Sequence, residues 1–127
     1  MGIEVNLVKK QTHLEVQVSG IYDMQEAMAE FNHVFLTCSQ TDLSKVLIDF
    51  RQMDGDIAAI EKMIYAMGVI ENYKNYLKAG GKRLIFAFLG KAPQISTYEP
   101  GLEIARERGI PVILTRDISE AKTFLAI

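Results

Sequence analysis

Val46-Leu47-Ile48-Asp49-Phe50-Arg51-Gln52-Met53-Asp54-Gly55-Asp56-Ile57 opens on an unbroken apolar run, passes three aspartates and leads into a helical period. Consecutive apolar residues mark a strand covered on both faces, as in a parallel sheet flanked by helices. The stretch therefore predicts a buried strand ending at Asp49, a loop from Phe50 to Asp56 and a helix from about Ile57 to Lys78, stopped by Gly80-Gly81. Leu84 to Leu89 and Val112 to Leu114 repeat the apolar run and complete the sheet centre.

The chain before this stretch has a different rhythm. Ile3, Val5 and Leu7 alternate with Glu4 and Asn6, and Leu14, Val16 and Val18 alternate with Glu15, Gln17 and Ser19. Period-2 alternation belongs to half-exposed strands, and the short polar link Lys9 to Thr12 joins them as an antiparallel hairpin. Met24, Ala27, Met28, Phe31, Val34, Phe35 and Cys38 recur at helical spacing behind Asp23 and Glu26, which have the spacing of a capping box. Pro100 to Arg108, closed by Gly109, gives a third helix, and Ala121, Phe124 and Leu125 mark a fourth. The expected fold is a single α/β domain over residues 1–127, a mixed sheet of about five strands with about four helices. Its N-terminal hairpin is antiparallel, its central strands are parallel, and its crossovers are right-handed.

Composition narrows the function. The 127 residues are 49% hydrophobic and carry 14 Lys+Arg against 16 Asp+Glu, a net charge of −2 that provides no field for a polyanion, which argues against nucleic acid. The lone Cys38 forms no internal disulfide, and charges fall in Met1 to Lys10 where a signal peptide has an apolar core, so the expected location is cytoplasmic. The longest apolar run, Leu84 to Leu89, is far short of the roughly 20 residues that span a bilayer.

Chemical motifs are lacking. His13 and His33 fall on polar faces without a second ligand at metal spacing, and Cys38 lies on the apolar side of the first helix. Gly80-Gly81-Lys82 has Tyr76 where a phosphate loop begins with glycine, and a helix precedes it instead of a strand. No nucleophile elbow appears. The expectation is a non-enzyme without cofactor or metal. In open α/β sheets, ligands bind beyond the carboxyl ends of the strands, which predicts one rim shared by Asp49, Arg51, Gly90, Lys91 and Thr115 to Asp117. Asp54 or Asp56 would cap the second helix.

The element order, Val46-Leu47-Ile48-Asp49, and the block from Ala105-Arg106-Glu107-Arg108-Gly109-Ile110-Pro111-Val112-Ile113 to Asp117-Ile118-Ser119-Glu120-Ala121 resemble the STAS domain, in its SpoIIAA-like, anti-sigma-factor-antagonist branch. The resemblance spans nearly the whole chain. It implies a regulatory module that docks on a protein partner, a kinase-type regulator or a second copy, through Asp49, Arg51, Gln52, Asp54, Gly55, Asp56, Lys91 and the second helix. It also implies a switch by serine phosphorylation, but Gly55 and Asp56 stand where the two serines of the motif would be, so Phe50 to Asp56 has no hydroxyl to phosphorylate.

Two other functions fit parts of the sequence. Related SpoIIAA-like folds include lipid-binding members, and the methionines suit an adaptable pocket, so a carrier or sensor of a small apolar ligand is the first alternative. A magnesium-dependent receiver-type protein using Asp49, Asp54 and Asp56 is the second. On the second helix, an arc of Ala59, Ile60, Met63, Ile64, Ala66, Met67 and Ile70 is expected to face the sheet. That would leave Ala58, Tyr65, Val69 and Tyr76 as an outer seam, interrupted by Lys62 and Asn72, for a homodimer or a partner.

Overall fold

The computed structural model describes residues 2–55, 57–96 and 99–127. Five strands form one sheet in the order β1-β2-β3-β4-β5: β1 (Ile3–Lys9), β2 (Leu14–Ile21), β3 (Lys45–Asp54), β4 (Ile85–Leu89) and β5 (Val112–Thr115). The β1/β2 hairpin is antiparallel and every later pairing is parallel. Helices α1 (Met24–Ser39), α2 (Ala59–Lys78) and α3 (Pro100–Glu107) connect successive parallel strands. Each crossover steps the same way along the sheet, and right-handed crossovers with the same step put their helices on the same face. The last helix, α4 (Ile118–Leu125), follows β5 without a further crossover and covers the opposite face.

Two cores result. Val16, Phe31, Val34, Phe35, Ile48, Ile70, Tyr73 and Phe86 pack between the sheet and α1 to α3. Leu47, Ala87, Leu89, Ala121 and Leu125 pack between the sheet and α4. Neighbours in β3 divide between the two, Leu47 on one face and Ile48 on the other, as period-2 geometry requires.

Four expectations need correction. First, β3 does not stop at Asp49 but runs on to Asp54, so Arg51, Gln52 and Asp54 are strand residues, not loop residues. Pairing with β2 carries the strand forward, across a register shift opposite Gln17 and Ser19, after β4 has ended at Leu89. Second, α2 begins behind Ala58, which makes no side-chain cap. Asp54 lies within β3, too early to cap it, and Asp56 falls outside the described residues.

Third, α2 is rotated from its expected setting: of the arc expected to face the sheet, Ile70 is buried and Ala66 lines the interior, but much of the expected outer seam also packs inward. Ile70 and Tyr73 are buried and Tyr65, Val69 and Tyr76 pack against the core, while Ile60, Ile64 and Met67 are 66%, 48% and 45% exposed. Aromatic packing is the physical reason: Tyr65 meets Phe31 edge-on, and Tyr76 stacks on Phe35 at 5.3 Å between ring centroids. Fourth, His13 is buried in the β1/β2 turn instead of exposed on a strand, with Nδ1 3.0 Å from Thr12 Oγ1 and Nε2 3.9 Å from Glu15. The capping box is half made: Asp23 accepts from the Glu26 amide at 3.0 Å, but the Glu26 carboxylate turns away to accept from the Ile3 amide.

Candidate functional site

The carboxyl ends of the parallel strands gather much of the expected rim. The Asp49 carboxylate accepts two bonds from the Arg51 guanidinium, at 3.0 and 2.8 Å, and one from the Arg51 amide. Partial burial raises the Asp49 pKa, but the bonds and charge of Arg51 outweigh it and hold the carboxyl below its ordinary value. Lys91 Nζ lies 3.9 Å from Asp54, and the Gly90 amide donates to the Thr115 carbonyl.

Gln94 ties these parts together. Beyond Leu89, β4 no longer pairs with β3, and Gln94 takes its place by donating to the carbonyls of Phe50 and Met53, both at 2.9 Å. Its side-chain oxygen Oε1 accepts from the Lys91 amide. Lys62 of α2 reaches across to Glu99 and to the Gln94 carbonyl, 3.1 Å each, so the segment after β4 is fastened both to β3 and to α2. Glu99 also accepts from the Ser96 amide. Lys62 entered the sequence reading only as an interruption of an apolar seam, and Gln94 and Glu99 not at all. The bonds that join Lys62 to Gln94 and Glu99, and Gln94 to β3, span more than 30 residues of sequence, and no local pattern encodes such a bond.

Beneath this fastening lies a cavity of about 230 Å³ between the sheet and α1 to α3. Its walls are apolar, among them Val16, Phe31, Ile48, Val69 and Phe88, and among the described residues its charged or amide-bearing lining is Glu30, Lys62, Gln94 and Glu99. Tyr22 and Tyr65 also line it. Burial raises the pKa of both tyrosines, with Glu61 and Asp23 contributing at Tyr22 and Tyr22 itself contributing at Tyr65. The Tyr22 hydroxyl is buried without a hydrogen-bond partner among the described residues.

Outside the cavity, the exposed ridge of Ile60, Ile64 and Met67 follows the helical spacing of four and three residues along α2. Ile21, at the end of β2 and 57% exposed, pairs in register with Asp54 and flanks Gly55. Tyr65 and Val69, expected on the outer seam, are instead partly buried on the core side. Among the described residues, no three His, Cys, Asp or Glu side chains converge as a metal site. Asp49, which the receiver-type reading needs free, is engaged by Arg51. Cys38 is fully buried, its thiol pushed up to about 11 by burial against the opposing effect of Lys82.

No protein-family model and no curated protein matches the sequence. Solved structures do. An anti-sigma factor antagonist from Mycobacterium paratuberculosis superposes with a TM-score of 0.58 at 18% identity, over 98% of this chain and 95% of that one. A DUF3478-family protein from Shewanella loihica, described as having a SpoIIAA-like fold, gives 0.54 at 18% identity over 98% and 94%. The anti-sigma factor antagonist SpoIIAA in its unphosphorylated form gives 0.53 at 10% identity over 98% of each chain. The chain therefore has the SpoIIAA-like α/β fold expected from its sequence. Among the described residues no helix is long and apolar enough to cross a membrane.

Proposed function

We propose that this chain is a cytoplasmic, non-enzymatic regulatory module that docks on a protein partner through the outer face of α2 and the adjoining end of β3. The observation that carries this reading is the Ile60, Ile64 and Met67 ridge. Three large apolar side chains aligned on one solvent-facing helix stripe cost free energy in water and gain it when a partner covers them. Arg51, Gln52, Asp54, Gly55 and Lys91, exposed at the end of β3 and just after β4, are the second part of the proposed contact. The fold shared with two anti-sigma factor antagonists supports a partner that is itself a protein. Because Phe50 to Gly55 contains no hydroxyl side chain, docking here does not depend on serine phosphorylation of that stretch.

Co-purification from the native host, comparing wild type with Ile60→Lys plus Ile64→Lys, tests the reading. A protein retained by the wild type, lost by the folded variant and binding again when the two purified chains are mixed supports it. Equal retention by both overturns it.

The cavity favours a second reading, a carrier or sensor of a small apolar ligand. Its volume of about 230 Å³ is below the roughly 300–1,000 Å³ of pockets for drug-sized ligands, so a compact apolar molecule fits better than a long acyl chain. Native mass spectrometry of host-purified protein tests this reading: a retained small molecule displaced by Val69→Phe supports it, and uniformly ligand-free protein removes it.

A further inference from the structure

The two outer strands of the sheet differ. β5 has only 4 residues, whereas β1 has 7, contains no proline and pairs with β2 in uninterrupted register from Ile3↔Gly20 to Lys9↔Leu14. In this register Gly2 O accepts from the Ile21 amide and the Lys10 amide donates to His13 O, each at 2.9 Å. Bonded pairs alternate along an antiparallel ladder. Glu4, Asn6 and Val8 therefore turn their backbone groups toward β2, while Ile3, Val5, Leu7 and Lys9 turn theirs to the open edge. One of these outward amides is already satisfied, because Ile3 donates to the Glu26 carboxylate at 3.2 Å. The open stretch is thus confined to Val5, Leu7 and Lys9, in the part of β1 away from Glu26.

We propose that this edge pairs with β1 of a second copy of the chain, antiparallel about a two-fold axis at Leu7, to give a continuous ten-stranded sheet. The register is selected by what it uses. Centred on Leu7, the outward groups of Leu7 bond their symmetry mates and those of Val5 bond those of Lys9, which consumes the open rungs and leaves the Ile3–Glu26 bond intact. The same register sets Glu4 of each copy directly opposite Lys10 of the other, and both side chains are exposed. An opposite-charge cross-strand pair is favourable and a like-charge pair unfavourable, and the two-fold axis doubles either effect. Leu7, half-buried in the single chain, gains cover from its own counterpart. A long flat edge left open is a template for pairing that proteins otherwise blunt with proline, bulges or brevity, and β1 has none of these. This surface is separate from the α2 ridge, so its failure leaves the proposed docking function standing.

Sedimentation equilibrium over a dilution series tests the pairing. Wild type should dimerise, and Leu7→Lys, which sets two charges on the axis, should be monomeric while retaining its circular dichroism spectrum. Glu4→Lys and Lys10→Glu should each weaken the dimer about tenfold by placing like charges opposite one another, and the double exchange should restore it. Hydrogen exchange should show the Val5, Leu7 and Lys9 amides losing protection on dilution, with Ile3 unchanged. A wild type that is monomeric throughout, a dimer indifferent to Leu7→Lys, or a double exchange no tighter than the single ones overturns the proposal.

Discussion

The two faces of the sheet solve the same problem differently. On the α4 side, small residues let one short helix sit close: Ala87 and Ala121 are fully buried beside Leu47, Leu89 and Leu125. On the other side, α1 and α2, lined with aromatic rings, span the sheet together with α3 and leave a cavity of about 230 Å³, and α2 turns a second apolar stripe to solvent. One face is built to be filled, the other to hold structure while leaving apolar surface to spare. The apolar ridge and the cavity that underlie the two proposed functions both belong to the second face, and mutations can tell whether the contrast is real.

The largest effect belongs to the tight face. Leu89→Ala, at a fully buried position, should cost about 2–5 kcal/mol in urea unfolding. Overpacking should sharpen the contrast: Ala87→Val has no room to settle and should cost about 1–3 kcal/mol. Val112→Ile adds its methylene beside the cavity and should be neutral or stabilising by up to about 1 kcal/mol. Equal costs for these two enlargements would break the distinction between the faces.

A smaller effect comes from outside both cores. Burial lowers the His13 pKa against the opposing pull of Glu15, with Lys10 and Lys122 adding to the lowering. The unfolded chain then takes up its proton at a higher pH than the folded one. The resulting stabilisation is full above the ordinary histidine value of about 6.5 and declines as pH falls through it toward the lower folded value. Thermal melting between neutral and mildly acidic pH should show this decline, and His13→Gln should flatten it. A His13→Gln profile as steep as wild type would place the titrating group elsewhere.

The contrast between faces also explains what the sequence could reveal. The apolar runs of β3, β4 and β5, bounded by turn residues, read as strands covered on both faces, so the element order and the mixed α/β sheet were readable from the sequence. The extension of β3 to Asp54 was not, because Arg51, Gln52 and Asp54 carry loop-like side chains and are kept in the strand by pairing with β2 and by Gln94 from a distant segment. The orientation of α2 was misread for a related reason. Both of its faces are apolar, so periodicity offers two solutions, and the choice falls to the rings of Phe31 and Phe35, which take Tyr65, Tyr73 and Tyr76 inward. At the rim, Asp49, Arg51 and Lys91 were expected together because ligand-binding rims form beyond strand ends, whereas Asp54, expected to cap α2, lies near Lys91 instead, and Lys62, Gln94 and Glu99 meet only through tertiary contact.

The most direct test of the account is a pair of lysine substitutions on α2, measured by chemical unfolding. Ile64→Lys replaces an exposed ridge residue and should change stability by no more than about 0.5 kcal/mol, whereas Val69→Lys forces a charge against the core and should cost several times as much. If Ile64→Lys proves the more damaging of the two, the ridge is the buried face of α2, and the proposed docking surface does not exist.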